Sequence, residues 1–175
     1  MNVFIAKIDY FDHVRWPVLG APYPGTNPEN SRLSITQVSR DLGSDGLALL
    51  VGSRGPQTSY RLRRKLLGAV QCYRALYETT KVVHPELVTT QHFTRKDNAF
   101  RMPYCIPYSK VWKCEGKLIQ AEVACGGEIV DPNRPREWFI RLSDDQADVA
   151  LNVLNHKAPK PINIPRPTHG FIAEL

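Results

Sequence analysis

Aromatic and cationic side chains carry most of the chemistry this sequence makes available. Trp16 and Tyr23 lie in a stretch rich in Pro and Gly, and Tyr104, Tyr108 and Trp112 flank two later prolines. Rings exposed in loops beside a basic surface stack on nucleobases, because every base presents a π-face. Trp16, among polar and proline neighbours, is read as a site residue, and Tyr104 and Trp112 as core. The cations are unevenly spread. Residues 46–114 hold twelve Lys and Arg against three acids, whereas the rest of the chain holds 11 against 14. This asymmetry makes a directional field that attracts polyanions, and phosphate contacts give nucleic acid its sequence-independent affinity. A solvated basic surface with no partner is the alternative.

Catalytic constellations are missing from the sequence. It contains no G-x-S-x-G, no H-E-x-x-H, no phosphate-binding P-loop and no H-x-E paired with C-x-x-C. His13, His84, His92, His156 and His169 are scattered; His13 beside Asp12 reads as a solvated loop histidine. A metal-dependent nuclease needs clustered acids, and the pair Asp144-Asp145 is better explained by helix capping. Cys72, Cys105, Cys114 and Cys125 form no C-x-x-C pair and have no His at ligand spacing. They read as buried free thiols of a reducing compartment. The expectation is a chain without catalytic residues, metal or cofactor.

The elements that must position these residues follow from pattern. A length of 175 residues suits one domain, and apolar and charged shares of 42% and 23% are those of a globular protein. No apolar run approaches the roughly 18 residues that suggest a membrane span. The opening apolar run, residues 3–6, is too short for a secretory signal and reads as the first strand of a cytoplasmic protein. Residues 9–30 read as a long irregular loop, the kind that tends to carry function. Ile35, Val38 and Leu42 have helical spacing over 34–42. The continuous apolar run 46–52 suits a buried strand, followed by a polar, basic loop over 53–64. Residues 65–77 read as another strand, with helix as the alternative, and Gly68 marks a bulge or close approach. The two prolines in 102–114 suggest an irregular or edge strand. Residues 117–124 are ambiguous, and 137–141 are a last short strand. Ser143, followed by two acids and Gln146, forms a capping box for a helix to about Leu154. The proline-rich segment 157–175 fits either a strap across the domain or a linker.

With no βαβα alternation, the order favours an α+β, mainly β, fold: a curved or closed mixed sheet with helices at its ends. The segments VFIAKID, WPVLGAPY, DLGSDGLALLVGSRGP and RRKLLGAVQCY together resemble the PUA-like superfamily, closest to its EVE and YTH branches. The matching positions are Lys7, Trp16, Asp45-Gly46, Ser53 and Leu67-Gly68-Ala69-Val70. The closing EWFIRLSDDQADVAL is similar to the strand, "L-S" and capped acidic helix of EVE domains. The resemblance covers residues 2–154, which places a PUA-like domain over 1–156 and a proline-rich tail over 157–175.

The resemblance implies a barrel-like sheet and recognition of a modified, methylated base in an aromatic pocket. Lys7, Asp9, Trp16, Tyr23, Ser53 and Arg54 would line that pocket. Trp16 and Tyr23 would be its walls, and Asp9 and Ser53 would bond the base edge. Arg54, with Arg61, Arg63, Arg64, Lys65, Arg95 and Lys96, would hold phosphates. The partner would be nucleic acid, DNA ahead of RNA, with a nuclease joined to it in modification-dependent restriction. An enzyme acting on nucleic acid or a nucleotide, an RNA-binding PUA-like module and a protein-interaction domain are the competing readings.

Overall fold

Nine strands and four α-helices form among the residues that the computed structural model describes, which are all except 24, 56, 91–92 and 130–136. In chain order they are β1 (Val3–Ile8), β2 (Val18–Gly20), α1 (Glu29–Leu42), β3 (Leu47–Gly52), β4 (Leu66–Cys72) and β5 (Ala75–Glu78). There follow α2 (Pro85–Val88), β6 (Tyr104–Lys113), α3 (Ala121–Ala124), β7 (Phe139–Arg141), α4 (Asp144–Lys157), β8 (Ile162–Asn163) and β9 (Phe171–Glu174). The strands pair in the order β7-β1-β3-β4-β6-β5-β9, with β2 and β8 also on β6. The fold is therefore mixed α+β and dominated by a mixed sheet. The two ends of this series, β7 and β9, do not pair with each other among the described residues, so among these the expected barrel-like closure is not seen.

The chain divides into two compact units. The first comprises Met1–Phe11, Asp45–Gln71 and Lys110–Asn163. Here β1 and β3 run parallel, with Lys7 opposite Val51 and Ile8 opposite Gly52. Strand β7 is antiparallel to β1, and β4 to β3. The apolar run of β3 is buried along its whole length, as a strand without polar alternation requires. Ile5, Leu49 and Val51 of the sheet share a core with Ala147, Ala150 and Leu154 of α4. That helix starts where the capping box places it: Ser143 Oγ accepts from the Gln146 N–H at 3.2 Å. The predicted close approach at Gly68 is present, since a Cβ there would stand 2.2 Å from the Trp112 carbonyl oxygen. The tail residues Ile162 and Asn163 pair with Val111 and Lys110.

The second unit comprises Asp12–Ser44, Cys72–Ser109 and Ile164–Leu175. Several expectations are corrected here. The stretch 9–30 is not all loop, because Val18–Gly20 pairs with Cys105–Pro107 as β2. Helix α1 starts at Glu29 rather than Ser34, with Pro28 at its N-cap. The run 65–77 is two strands, parted at Tyr73 and Arg74, whose backbone groups bond Pro107 and Leu175 instead of continuing one ladder. Residues 104–113 form a ten-residue strand with partners on both sides, not an edge. Pro107 is tolerated because its carbonyl accepts from Tyr73 N at 2.9 Å, while the next N–H, of Tyr108, donates to Pro17 O at 2.8 Å. Within the tail, Phe171–Glu174 pairs with β5.

Candidate functional site

Parallel pairing of β1 and β3 brings the chain exits of both strands side by side, the position at which open α/β sheets place ligands. Asp9 follows β1 and Ser53 follows β3. The Asp9 carboxylate oxygen Oδ1 accepts from Ser53 Oγ at 2.5 Å and from Thr58 Oγ1 at 3.0 Å. The Gly55 N–H donates to Ser53 Oγ at 3.2 Å. The Ser53 hydroxyl is thereby fixed in orientation by groups from both strand exits.

The basic loop that leaves β3 returns to the strand end it left. Arg64 N donates to Gly52 O at 2.8 Å and Gly52 N to Lys65 O at 3.1 Å. Arg63 Nε donates to Thr58 O at 3.1 Å, tying the loop across its own base. Arg64 adopts φ +62°, a left-handed conformation that costs a non-glycine residue roughly 1–2 kcal/mol. It is held there from both sides, since its carbonyl also accepts from Ala121 N, the first residue of α3, at 2.8 Å. Strain of this kind clusters at functional sites.

These elements enclose a hollow of about 480 Å³ lined by Lys7, Ser53, Arg54, Arg64, Glu122 and Glu128, over Ile5, Val51, Gly52, Ala121 and Ile129. Glu122 Oε1 stands 3.3 Å from Arg64 Nη2 and 3.8 Å from Arg54 Nη2. Both arginines stay largely in solvent, with side chains 69% and 49% exposed for Arg54 and Arg64, so these ion pairs are weak and exchangeable. Burial holds the Lys7 ammonium below its ordinary pKa, and Arg54 adds to the effect while Glu122 opposes it.

Four of the expected residues, Lys7, Ser53, Arg54 and Arg64, therefore meet at one hollow, and Asp9 orients one of them. Arg61, Arg63 and Lys65 belong to the same loop. Trp16 and Tyr23, expected as aromatic walls, belong to the second unit and are not among the residues lining this hollow. Trp16 is 4% exposed and stacks on Phe93 at 3.8 Å between ring centroids. Tyr23 is buried with the Arg95 guanidinium 4.4 Å over its ring. Arg95, expected to hold phosphate, donates instead to the carbonyls of Tyr23 and Gly25 and pairs with Asp97 at 3.4 Å. Lys96 is exposed. Sequence reasoning missed Glu122 as a site residue. Its partner Arg64 lies 58 positions away, and the four-residue α3 that carries it has no periodic signal.

The cysteines are free, and burial pushes the Cys105 thiol up to about 12 and those of Cys114 and Cys125 to about 11. Thiols so shifted are poor nucleophiles. Among the described residues, no group of three or more His, Cys, Asp or Glu is placed to hold a metal ion. No helix among them is long and apolar enough to cross a membrane. Comparison with family models, with curated proteins and with solved structures finds no match for this chain.

Proposed function

We propose that the first unit is a non-enzymatic nucleic-acid reader that takes one base, extruded from its strand, into the hollow at the ends of β1 and β3. The observation that carries this is the convergence of Lys7, Ser53, Arg54 and Arg64 on one hollow from separate stretches of chain. Its volume of about 480 Å³ falls in the range of small-ligand sites, roughly 300–1,000 Å³. The apolar floor of Ile5, Val51 and Ile129 suits the face of a heterocycle and the methyl group of a modified one. Lys7 supplies a hydrogen-bond donor for the base edge, which is how flipped bases are read, while Ser53 Oγ, whose proton goes to Asp9, can only accept. Arg54 and Arg64 at the hollow, with the exposed Arg61 in the same loop, supply phosphate contacts.

The likeness of the segments around Lys7, Ser53 and Gly68 to EVE and YTH domains adds the PUA-like assignment, the methylated base, the preference for DNA and a nuclease partner to this proposal. Trp16 and Tyr23 have no part in it; the ring faces of the base are covered by aliphatic side chains.

Fluorescence anisotropy with labelled methylated and unmethylated DNA and RNA, each single-stranded and duplex and at two salt concentrations, tests the proposal. We expect tighter binding to a methylated strand and affinity that falls steeply with salt, by about 0.7–0.9 in logarithmic slope per phosphate contacted. Absence of binding, or binding indifferent to salt, overturns it.

A further inference from the structure

We infer that Tyr60 is a stacking platform for the nucleotide adjacent to the one in the hollow, which makes single-stranded or locally opened nucleic acid the ligand of the first unit. This inference rests on the proposed nucleic-acid reading and deepens it.

The Tyr60 residue is 85% exposed, more than any other large apolar or aromatic residue described. Single exposed apolar residues are ordinary on protein surfaces, so exposure alone decides nothing. The placement of Tyr60 is what matters. The Leu62 N–H donates to Ser59 O at 2.9 Å, which makes Tyr60 and Arg61 the two corners of a tight turn. That turn lies within the loop whose ends are both fastened at Gly52. The backbone that carries the ring is thus fixed by this turn, which lowers the ordering cost of binding. The Arg63 guanidinium lies 5.7 Å from the ring centroid. Arg54 and Arg64, at the two ends of the same loop, line the hollow.

An open aromatic face among cations is the pairing that single-strand binders use, since the ring stacks on any base while the cations follow the backbone. Inside an intact duplex both faces of each base are already stacked, so Tyr60 would find no partner there.

The test compares wild type, Tyr60→Ala, Tyr60→Phe and the double variant Arg54→Ala/Arg64→Ala by anisotropy. The probes are a short labelled deoxythymidine strand and the same strand annealed to its complement. Tyr60→Ala is expected to weaken strand binding at least about fivefold, the lower end of measured base–aromatic stacking. It should leave duplex binding and the salt slope unchanged, and Tyr60→Phe should restore the strand affinity. Equal strand affinity for Tyr60→Ala and wild type, or an equal loss on strand and duplex, overturns the inference. Failure of wild type to bind either probe overturns the nucleic-acid reading and the inference with it. Loss of both probes in the double variant, with Tyr60→Ala unchanged, sinks the inference alone. Matched thermal melts of all variants show that folding is intact.

Discussion

Gly52 and Leu62 approach so closely that a Cβ on Gly52 would stand 1.7 Å from the Leu62 carbonyl oxygen. The end of β3 and the returning loop therefore pass each other at a separation only glycine permits. Gly52→Ala must push the two apart and break the backbone bonds from Arg64 N to Gly52 O and from Gly52 N to Lys65 O. Overpacking of this kind typically costs about 1–3 kcal/mol. Urea denaturation should show a loss of about that size, accompanied by weaker polyanion binding as Arg54 and Arg64 are displaced. An unchanged midpoint would mean that the loop does not close against β3.

Arg64 offers a separate test of the loop geometry. At an ordinary surface position alanine is more stable than glycine by roughly 0.5–1 kcal/mol. At φ +62° the order should reverse, because only glycine reaches this region without steric cost. Arg64→Gly is expected to be more stable than Arg64→Ala by about 1 kcal/mol in urea, while both lose the same phosphate contact and bind oligonucleotide equally poorly. Equal stability of the two variants would show that the left-handed conformation is not maintained.

Lys7 links the site to pH. Its folded-state pKa lies below the ordinary lysine value, through burial first and Arg54 second, with Glu122 acting the other way. As pH rises, the folded protein releases this proton before the unfolded chain does. Between the folded value and the ordinary one, about 10.4, the unfolded state binds more protons, so the Lys7 contribution to stability improves with pH. Below that window the charged ammonium is a net cost. Lys7→Met should therefore melt at a higher temperature than wild type at neutral pH, with the gap narrowing as pH approaches about 10.4. A gap independent of pH, or of opposite sign, would contradict the assignment.

Local signals were legible in this sequence and distant ones were not. The Ser143 cap and the apolar run of β3 are written within a few residues, and both elements form where expected. Strand β2 has three residues and exists only through pairing with β6, so no local pattern announces it. The prolines of β6 argue for an edge, yet neighbouring backbone groups complete the ladder around Pro107. Trp16 shows the same limit at the level of a site. Its place in a proline-flanked loop pointed to exposure, but its ring is buried against Phe93, which lies far along the chain. Lys7, Ser53 and Arg54, singled out from the sequence, do line one hollow. Arg64 was legible as charge, whereas its left-handed backbone and its ion pair with Glu122 are products of tertiary closure.

On the proposed nucleic-acid reading, Glu122 sits where an incoming phosphate would have to compete. Its carboxylate is shared between Arg64 at 3.3 Å and Arg54 at 3.8 Å, so both cations are partly neutralised before any polyanion arrives. Glu122→Gln removes the charge and keeps the shape. Because the pairs are solvent-exposed, the change in folding stability should stay within about 1 kcal/mol. Binding to a labelled single strand should tighten several-fold at low salt. The slope of log affinity against log salt should steepen by about 0.7 for each further phosphate that the freed arginines neutralise. Anisotropy titrations of wild type and Glu122→Gln across a salt series measure both quantities at once. Unchanged or weaker binding by the variant would show that Glu122 does not compete with phosphate for Arg54 and Arg64.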